Sequence, residues 1–184
     1  MVDYSIENEY REKGFNIICG VDEAGRGPLA GPVYAAAVIL PSDCVIEGLN
    51  DSKKLTEKKR EALFDEIKEK ALAYGIASAD EKEIDEINIL NATFLAMKRA
   101  IDSLSVKPDL ALIDGNQKPH TDIEEVTVIK GDAKSMSIAA ASVLAKVSRD
   151  RFMLEMAEKY PQYEFARHKG YGKKLHYEKI AQYG

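Results

Sequence analysis

Short apolar runs recur along the chain and are separated by longer segments that are polar or have helical spacing. Five of these runs, each four to eight residues long, are bounded by turn or charged residues, which favours strands over helices. The predicted strands are Asn16–Val21, Val33–Leu40, Leu72–Ala79, Leu110–Ile113 and Val126–Ile129. The tight Gly31-Pro32 connection indicates that the first two strands pair antiparallel.

Three segments carry apolar residues three or four positions apart and are predicted to be helices. Thr56 is a candidate N-cap for the first, and a helix from about Ala133 to Lys159 is predicted to be the last. The inward-facing positions are Leu63, Phe64, Ile67 and Ala71 in the first helix, Leu90, Phe94, Met97, Ile101 and Leu104 in the second, and Ile138, Ala141, Ser142, Ala145, Phe152 and Met156 in the third. This order of elements predicts an α/β fold in which helices flank a five-stranded mixed sheet, with residues 1–184 forming a single domain.

Composition is that of an ordinary folded protein, with 45% hydrophobic and 31% charged residues. The net charge of −5 argues mildly against a nucleic-acid partner, which usually requires a basic face. The charge is uneven, however: Arg167–Lys179 has five basic residues against one acidic, whereas Asp80–Glu86 has five acidic residues against one basic. Each run is also compatible with a solvated surface, so charge alone leaves the partner open.

Nothing in the sequence indicates a membrane or an oxidising compartment. The longest apolar run, Val33–Leu40, is far shorter than the roughly 18 residues that span a bilayer. The N-terminus is polar and acidic, without the apolar region of a signal peptide. Cys19 and Cys44 have neither metal-site spacing nor a disulfide pattern. We therefore expect a cytoplasmic protein without a membrane partner, and a monomer.

Three of the predicted strands end in acidic residues: Asp22-Glu23 after the first, Asp114 after the fourth and Asp132 after the fifth. If these three strands are neighbours, the four carboxylates converge at one edge of the sheet. Alternation along a strand places Asp22 and Glu23 on opposite faces, so Glu23 joins the others only if the chain bends. The Ala24-Gly25 turn is predicted to supply that bend.

Four convergent carboxylates would suit Mg²⁺ or Mn²⁺, which prefer oxygen ligands and leave room for water and substrate phosphate. Two such ions, roughly 4 Å apart, would align an attacking water and stabilise a leaving oxygen. Each acid also has a purely structural interpretation. Asp114-Gly115 is a common turn pair, Asp132 is a candidate helix cap, and Asp22-Glu23 could be an ion-paired strand end.

The glycine-rich turn Gly25-Arg26-Gly27 follows the first acids directly. Its backbone amides and guanidinium are groups that bind phosphate, although Arg26 is equally compatible with a salt bridge inside the turn. The histidines His120, His168 and His176 show no metal-ligand spacing, and His120 is interpreted as a loop residue.

These motifs resemble those of type 2 ribonuclease H, the bacterial ribonuclease HII family. They occur in family order from about residue 15 to the end of the chain. The matching segments are Val21–Val33, Asp51–Leu55, Asn88–Thr93, Ile113–Asn116, Lys130–Asp132, Ala139–Asp150, Lys169–Gly172 and His176. The first segment and Ala139–Asp150 are highly specific, whereas an Asp-Gly pair alone is a weak signal.

The resemblance implies a ribonuclease H-like fold with a helical C-terminal portion. It also implies hydrolysis of the RNA strand of RNA/DNA hybrids and incision at single ribonucleotides in duplex DNA, leaving 3′-hydroxyl and 5′-phosphate ends. Asp22, Glu23, Asp114 and Asp132 match the family's catalytic, metal-binding acids.

The resemblance further implies roles in substrate binding. Gly25, Arg26 and Gly27 match the motif that reads the 2′-hydroxyl, and Tyr171 matches a tyrosine that packs on the next deoxynucleotide sugar. Only the 2′-hydroxyl distinguishes RNA, and glycine allows the closest backbone approach. Without the resemblance, Tyr171 is compatible with loop packing.

Five basic residues are predicted to contact phosphates without reading sequence: Lys53, Lys54, Lys146, Arg149 and Lys169. Lys146 and Arg149 could instead brace the acidic cluster. Two features depart from the family pattern: a short tail with a His-Arg pair usually follows the position of Gly184, and His168 stands where asparagine is common.

Two other interpretations remain at this point. A type 3 ribonuclease H shares most of the motifs, but it has an extra N-terminal domain and a glutamate as its fourth acid. The short N-terminus and Asp132 favour type 2. A catalytically silent nucleic-acid or metal-binding module is disfavoured by the complete acid set.

Overall fold

A computed structural model describes residues 2–27, 31–159, 161 and 180. The strands are β1 (Ile18–Ala24), β2 (Val33–Ile39), β3 (Ala73–Ala79), β4 (Leu110–Asp114) and β5 (Glu124–Val128). The α-helices are α1 (Ser5–Glu12), α2 (Glu57–Lys70), α3 (Glu81–Asp102) and α4 (Met136–Lys159). Short 3₁₀ helices cover Ser52–Lys54 and Gly131–Ala133.

The five strands form a mixed sheet in the order β3-β2-β1-β4-β5. β1 pairs antiparallel with β2, and β2 pairs antiparallel with β3. β4 lies parallel to β1 on the other side and β5 parallel to β4. The predicted five-stranded mixed sheet is therefore confirmed, and the strands that end in acids are neighbours.

Both faces of the sheet are covered, which explains why the strands are almost continuously apolar. On one face α3 packs through residues such as Met97 and Ile101. On the other face α4 lies against β1 and β2, and residues 137–145 of this helix are all buried. Gly20 permits this contact, since a Cβ at its position would overlap the backbone of Ser137 and Ile138.

Two helices begin at different places from those predicted. α3 starts within the acidic run, because Asp80 accepts a hydrogen bond from the Glu83 amide (2.9 Å) and Glu83 accepts one from the Asp80 amide (3.2 Å). This capping box converts acidic residues into a helix start. α4 begins at Met136 rather than Ala133, because a 3₁₀ turn occupies the three preceding positions. The N-cap Thr56 is confirmed, with its Oγ1 3.2 Å from the Lys59 amide nitrogen.

The packing of the last helix also differs from the prediction towards its end. Phe152 and Met156 are only half-buried, whereas Met153 is fully enclosed. Among the described helices, none is both long enough and apolar enough to cross a membrane. The predicted helical portion beyond α4, with Lys169, Tyr171, His168 and His176, lies outside the described residues.

Candidate active site

Asp22 and Asp114 meet because β1 and β4 run parallel in register. Val21 pairs with Ile113, so the next residue of each strand is an aspartate. Alternation places Asp22 on the same face as Gly20, which is the face that α4 covers. Asp22 is only 4% exposed, because it lies where the strand passes under this helix.

Asp132 joins these residues from the 3₁₀ turn after β5 rather than from a strand end. Its backbone amide donates a hydrogen bond to Oδ1 of Asp114 over 3.1 Å. The turn is reached through Lys130, which has a left-handed conformation with φ of 54°. A Cβ on Gly131 would lie 2.5 Å from Cδ1 of Ile138, so the turn packs closely against α4 at this position and a larger residue would require the Ile138 side chain to move.

The three aspartates Asp22, Asp114 and Asp132 offer carboxylate oxygens that all lie within 4.8 Å of one another. They border a cavity of about 440 Å³, which Arg26, Lys53, Ser142 and Lys146 also line. An all-oxygen donor set open to a cavity fits a hard divalent cation such as Mg²⁺ or Mn²⁺, with positions left for water or phosphate.

Glu23 borders the same cavity but lies outside the three-aspartate cluster. The predicted bend is wrong: β1 continues regularly to Ala24, with Glu23 paired to Ala35. Glu23 therefore stays on the α3 face, where it lines a second cavity of about 60 Å³ with Arg26 and Thr93. Its Oε2 is buried and has no hydrogen-bond partner among the described residues. A buried carboxylate oxygen without a hydrogen-bond donor is suited to coordinate a cation, which would supply the missing partner.

The four acids all have raised pKa values, mainly because burial penalises their charged forms. For Asp22, burial and then the charges of Glu23 and Asp114 raise the pKa well above its usual value. Burial and then Asp114 raise the pKa of Glu23, and burial raises that of Asp114. Burial, Asp114 and Asp51 together raise the pKa of Asp132 to about 6. Such a group of repelling anions is relieved by a bound cation.

Without divalent ions, Asp132 is expected to destabilise the fold increasingly as pH rises. Its carboxyl has a higher pKa in the folded protein than its usual value of 3.8, so the folded state favours the proton. Stability that is present at low pH is then lost as pH rises through about 6. In EDTA, the melting temperature of Asp132→Asn minus that of the wild type should therefore increase between pH 5 and pH 8. A difference between the two proteins that stays constant over this range would contradict the pKa shift.

The turn Gly25-Arg26-Gly27 lies directly above a buried arginine. Gly25 has φ of +99°, and a Cβ there would overlap the Arg149 side chain. Arg149 is fully buried, and its Nε donates to the Pro32 carbonyl over 3.0 Å. The prediction that Arg149 contacts phosphate therefore disagrees with the structure, because its side chain has no exposed surface. The side chain instead packs beneath the turn. Arg149 therefore braces the glycine-rich turn, whereas the alternative interpretation had assigned it to the acidic cluster.

The remaining predicted phosphate contacts are differently placed. Lys53 is exposed on the 3₁₀ helix Ser52–Lys54 and lines the main cavity, whereas Lys54 is exposed but does not line it. Lys146 lines the cavity and forms an ion pair with Asp150 at 3.0 Å. His120, interpreted as a loop residue, lies between β4 and β5.

Two residues that the sequence interpretation left without a role shape the segment carrying Lys53. Asp51 accepts a hydrogen bond from the Lys53 amide (3.0 Å), and its charge acts on Asp132, so it is a fifth acid beside the four predicted ones. Arg60 donates to the carbonyls of Ser52 (2.9 Å) and Leu55 (2.7 Å), so α2 fixes both ends of this short helix. The Asp51–Leu55 motif was the available signal for Asp51, whereas nothing distinguished Arg60 from other surface arginines.

Comparisons with known proteins agree with this geometry. The ribonuclease HII family model matches residues 19–184. A ribonuclease HII of Caldicellulosiruptor bescii is 57% identical over 181 residues, covering 98% of this chain and 88% of that protein. A ribonuclease HII of Acetivibrio thermocellus is 61% identical over 178 residues, covering 97% and 70%. The crystal structure of ribonuclease H2 from Pyrococcus horikoshii OT3 superposes with a TM-score of 0.77 at 29% identity, covering 91% of this chain and 87% of that one.

The mixed sheet and its acidic edge thus define a nuclease with a ribonuclease H-like fold. Within that class, the chain belongs to the ribonuclease HII family. It is a hydrolase of the ribonuclease H type, and the type 2 interpretation is confirmed over the type 3 alternative.

Proposed function

We propose that this protein is a metal-dependent endonuclease that cleaves the RNA strand of RNA/DNA hybrids and incises duplex DNA at single ribonucleotides. Asp22, Glu23, Asp114 and Asp132 would hold two divalent ions, Mg²⁺ or Mn²⁺. The observation that carries the proposal is the cluster of three aspartates within 4.8 Å, beside a buried glutamate oxygen, in a cavity open to solvent.

The reaction adds water across a P–O3′ bond, which leaves a 3′-hydroxyl and a 5′-phosphate. Divalent ions held by Asp22, Glu23, Asp114 and Asp132 would supply Lewis acidity, activating the attacking water and stabilising the leaving oxygen. Two features position the carboxylates for those ions: the register between β1 and β4, and the hydrogen bond from the Asp132 amide to Asp114. Lys53 and Lys146 line the same cavity, where positive charge opposes that of the phosphate backbone.

Selection of a ribonucleotide is assigned to the turn Gly25-Arg26-Gly27, which lines the cavity next to the acids. The 2′-hydroxyl distinguishes RNA from DNA, and a backbone without Cβ atoms can approach it closely. The packing of Arg149 beneath Gly25 supports a fixed position for this turn. Packing of Tyr171 on the neighbouring sugar and a phosphate contact from Lys169 are part of the proposal, as are a monomeric state and a cytoplasmic location.

The proposal is tested with three duplexes of one sequence: all-DNA, DNA with one ribonucleotide, and a full RNA/DNA hybrid. We expect cleavage of the second and third, with Mg²⁺ or Mn²⁺ and not in EDTA, and no cleavage of the first. The ends are identified by ligation and phosphatase sensitivity.

Cleavage of the hybrid without the single-ribonucleotide duplex would remove the incision activity from the proposal. Binding of both duplexes without cleavage under any metal condition would favour the silent module instead.

A further inference from the structure

Glu7 is a fully buried carboxylate on α1, remote in sequence from the acids of the site. Its Oε2 accepts three hydrogen bonds: from the Ser137 amide (2.9 Å), the Ser137 hydroxyl (2.8 Å) and the Ser135 hydroxyl (3.1 Å). Its other oxygen has no partner among the described residues. Among the described residues, every hydrogen bond to the Glu7 side chain therefore comes from Ser135 and Ser137, at the start of α4.

These bonds complete the N-terminus of α4, where backbone amides lack partners within the helix. Ser135 caps the helix, because its Oγ accepts a hydrogen bond from the Ile138 amide over 3.2 Å. Glu7 accepts the hydrogen bond of the Ser137 amide and also fixes the capping hydroxyl. An acidic group at this end of a helix is favoured by the helix dipole.

Asp132 lies three residues before the cap Ser135, in the turn that leads into α4. The amides of Lys134 and Ser135 both donate to the Gly131 carbonyl, over 3.0 and 2.7 Å. Asp3 pairs with this segment on both sides, since its amide donates to the Lys134 carbonyl and its carbonyl accepts from the Met136 amide.

The turn around Asp132 is thus held at two ends. At one end its amide is bonded to Asp114, another acid of the cluster. At the other end the chain enters α4 through the contacts with Asp3 and Glu7. A change at Glu7 keeps the Asp3 bonds and the bond between the Asp132 amide and Asp114. It removes the acceptor for the Ser137 amide and for the hydroxyls of Ser135 and Ser137, so the first turn of α4 loses part of its anchor.

We propose that Glu7 is a positioning residue for Asp132: it fixes the first turn of α4 and thereby sets where the Asp132 carboxylate meets a divalent ion. The inference rests on the proposed function, in which Asp132 is a metal ligand. It assigns to α1 a part in metal binding that involves no contact with the ion or the nucleic acid.

The experiment measures Mn²⁺ binding by calorimetry without nucleic acid, for the full chain and four variants. Glu7→Ala is expected to weaken binding about tenfold, within the 10–100-fold range for residues that orient metal ligands. Glu7→Gln keeps an oxygen that can accept from the Ser137 amide and should remain within about threefold of the wild type. Glu9→Ala is the matched control on the same helix, since Glu9 is exposed and pairs only with Lys13 at 3.5 Å in the described structure.

Two further measurements separate positioning from general structure. Activity at saturating Mn²⁺ should recover in Glu7→Ala, so that the concentration for half-maximal rate changes more than kcat. Hydrogen exchange should accelerate at the amides of residues 131–137 more than at those of β1. Ser135→Ala, which removes the hydroxyl between Glu7 and the Ile138 amide, is expected to weaken binding in the same direction and replaces Glu7→Ala if that variant does not fold.

Mn²⁺ affinity unchanged in folded Glu7→Ala, or in Ser135→Ala in its place, would overturn the positioning role while leaving the proposed function intact. Equal losses in Glu7→Ala and Glu9→Ala would overturn it as well, because the effect would then not be specific to the anchor. Failure of the wild type to bind Mn²⁺ would overturn both the inference and the proposed metal site.

Discussion

Asp22→Asn is expected to abolish cleavage of a duplex with one ribonucleotide while making the metal-free protein more stable. Asp22 is the most enclosed acid of the cluster, and it shares its cavity with Asp114 and with Ser142 of α4. Loss of a group that acts together with its neighbours typically lowers the rate by at least about 10³-fold. Asparagine preserves the shape of the side chain but supplies no anionic ligand.

Stability should change in the opposite direction to activity. Burial and three neighbouring acids raise the pKa of Asp22, so its ionised form destabilises the folded state at neutral pH when no cation is present. In EDTA at pH 7.5, Asp22→Asn should therefore melt at a higher temperature than the wild type, by roughly 2–4 °C for each kcal/mol relieved. Adding Mn²⁺ should raise the melting temperature of the wild type more than that of the variant.

Asp43→Asn is the control, because Asp43 is exposed in the loop after β2. It should alter neither the cleavage rate nor the response to Mn²⁺. Full activity in Asp22→Asn would exclude Asp22 from the chemistry. A variant that is inactive and also less stable in EDTA would indicate a structural role instead.

The sequence predicted the sheet and three of the acids well, because local patterns determine both. Short apolar runs bounded by turns defined all five strands to within a few residues. Asp22 and Asp114 directly follow two of those runs, and the parallel pairing of β1 and β4 brings them together. Asp132 instead reaches the cluster from the 3₁₀ turn after β5. The prediction required that the three strands preceding the acids be neighbours in the sheet, and the order β1-β4-β5 meets this condition.

Features that depend on tertiary contacts could not be predicted in this way. Glu23 does not bend towards Asp22, because β2 pairs with β1 as far as Ala24 and keeps the strand regular. Arg149 was grouped with phosphate-binding residues since charge is usually exposed, whereas its surroundings bury it completely.

The N-terminal helix was missed for a related reason. α1 has only eight residues, and its apolar positions Ile6 and Tyr10 are too few to establish a helical pattern by themselves. It is held by the packing of these two side chains on the core and by the bonds of Glu7 and Asp3 to the start of α4. The position of α1 therefore depends on its contacts with α4 and cannot be predicted from the sequence of α1 alone.

The closeness of α4 to β1 leads to the last expectation, that Gly20→Ala strongly destabilises the protein. A Cβ on Gly20 would overlap the backbone of Ser137 and Ile138, and backbone cannot turn aside as a flexible side chain can. Overpacking of this kind typically costs about 1–3 kcal/mol, which corresponds to a melting temperature lower by roughly 2–12 °C for a chain of this size.

Gly14→Ala is the matched control for the cost of losing a glycine. Gly14 has φ of +103° but nothing within 4 Å of a Cβ, so this change adds only backbone strain of roughly 1–2 kcal/mol. Gly20→Ala should also weaken Mn²⁺ binding, because the displaced first turn of α4 follows the turn that carries Asp132. Gly14→Ala should leave Mn²⁺ affinity unchanged. If Gly20→Ala were as stable as the wild type and bound Mn²⁺ equally well, the close contact between β1 and α4 would not determine the geometry of the site.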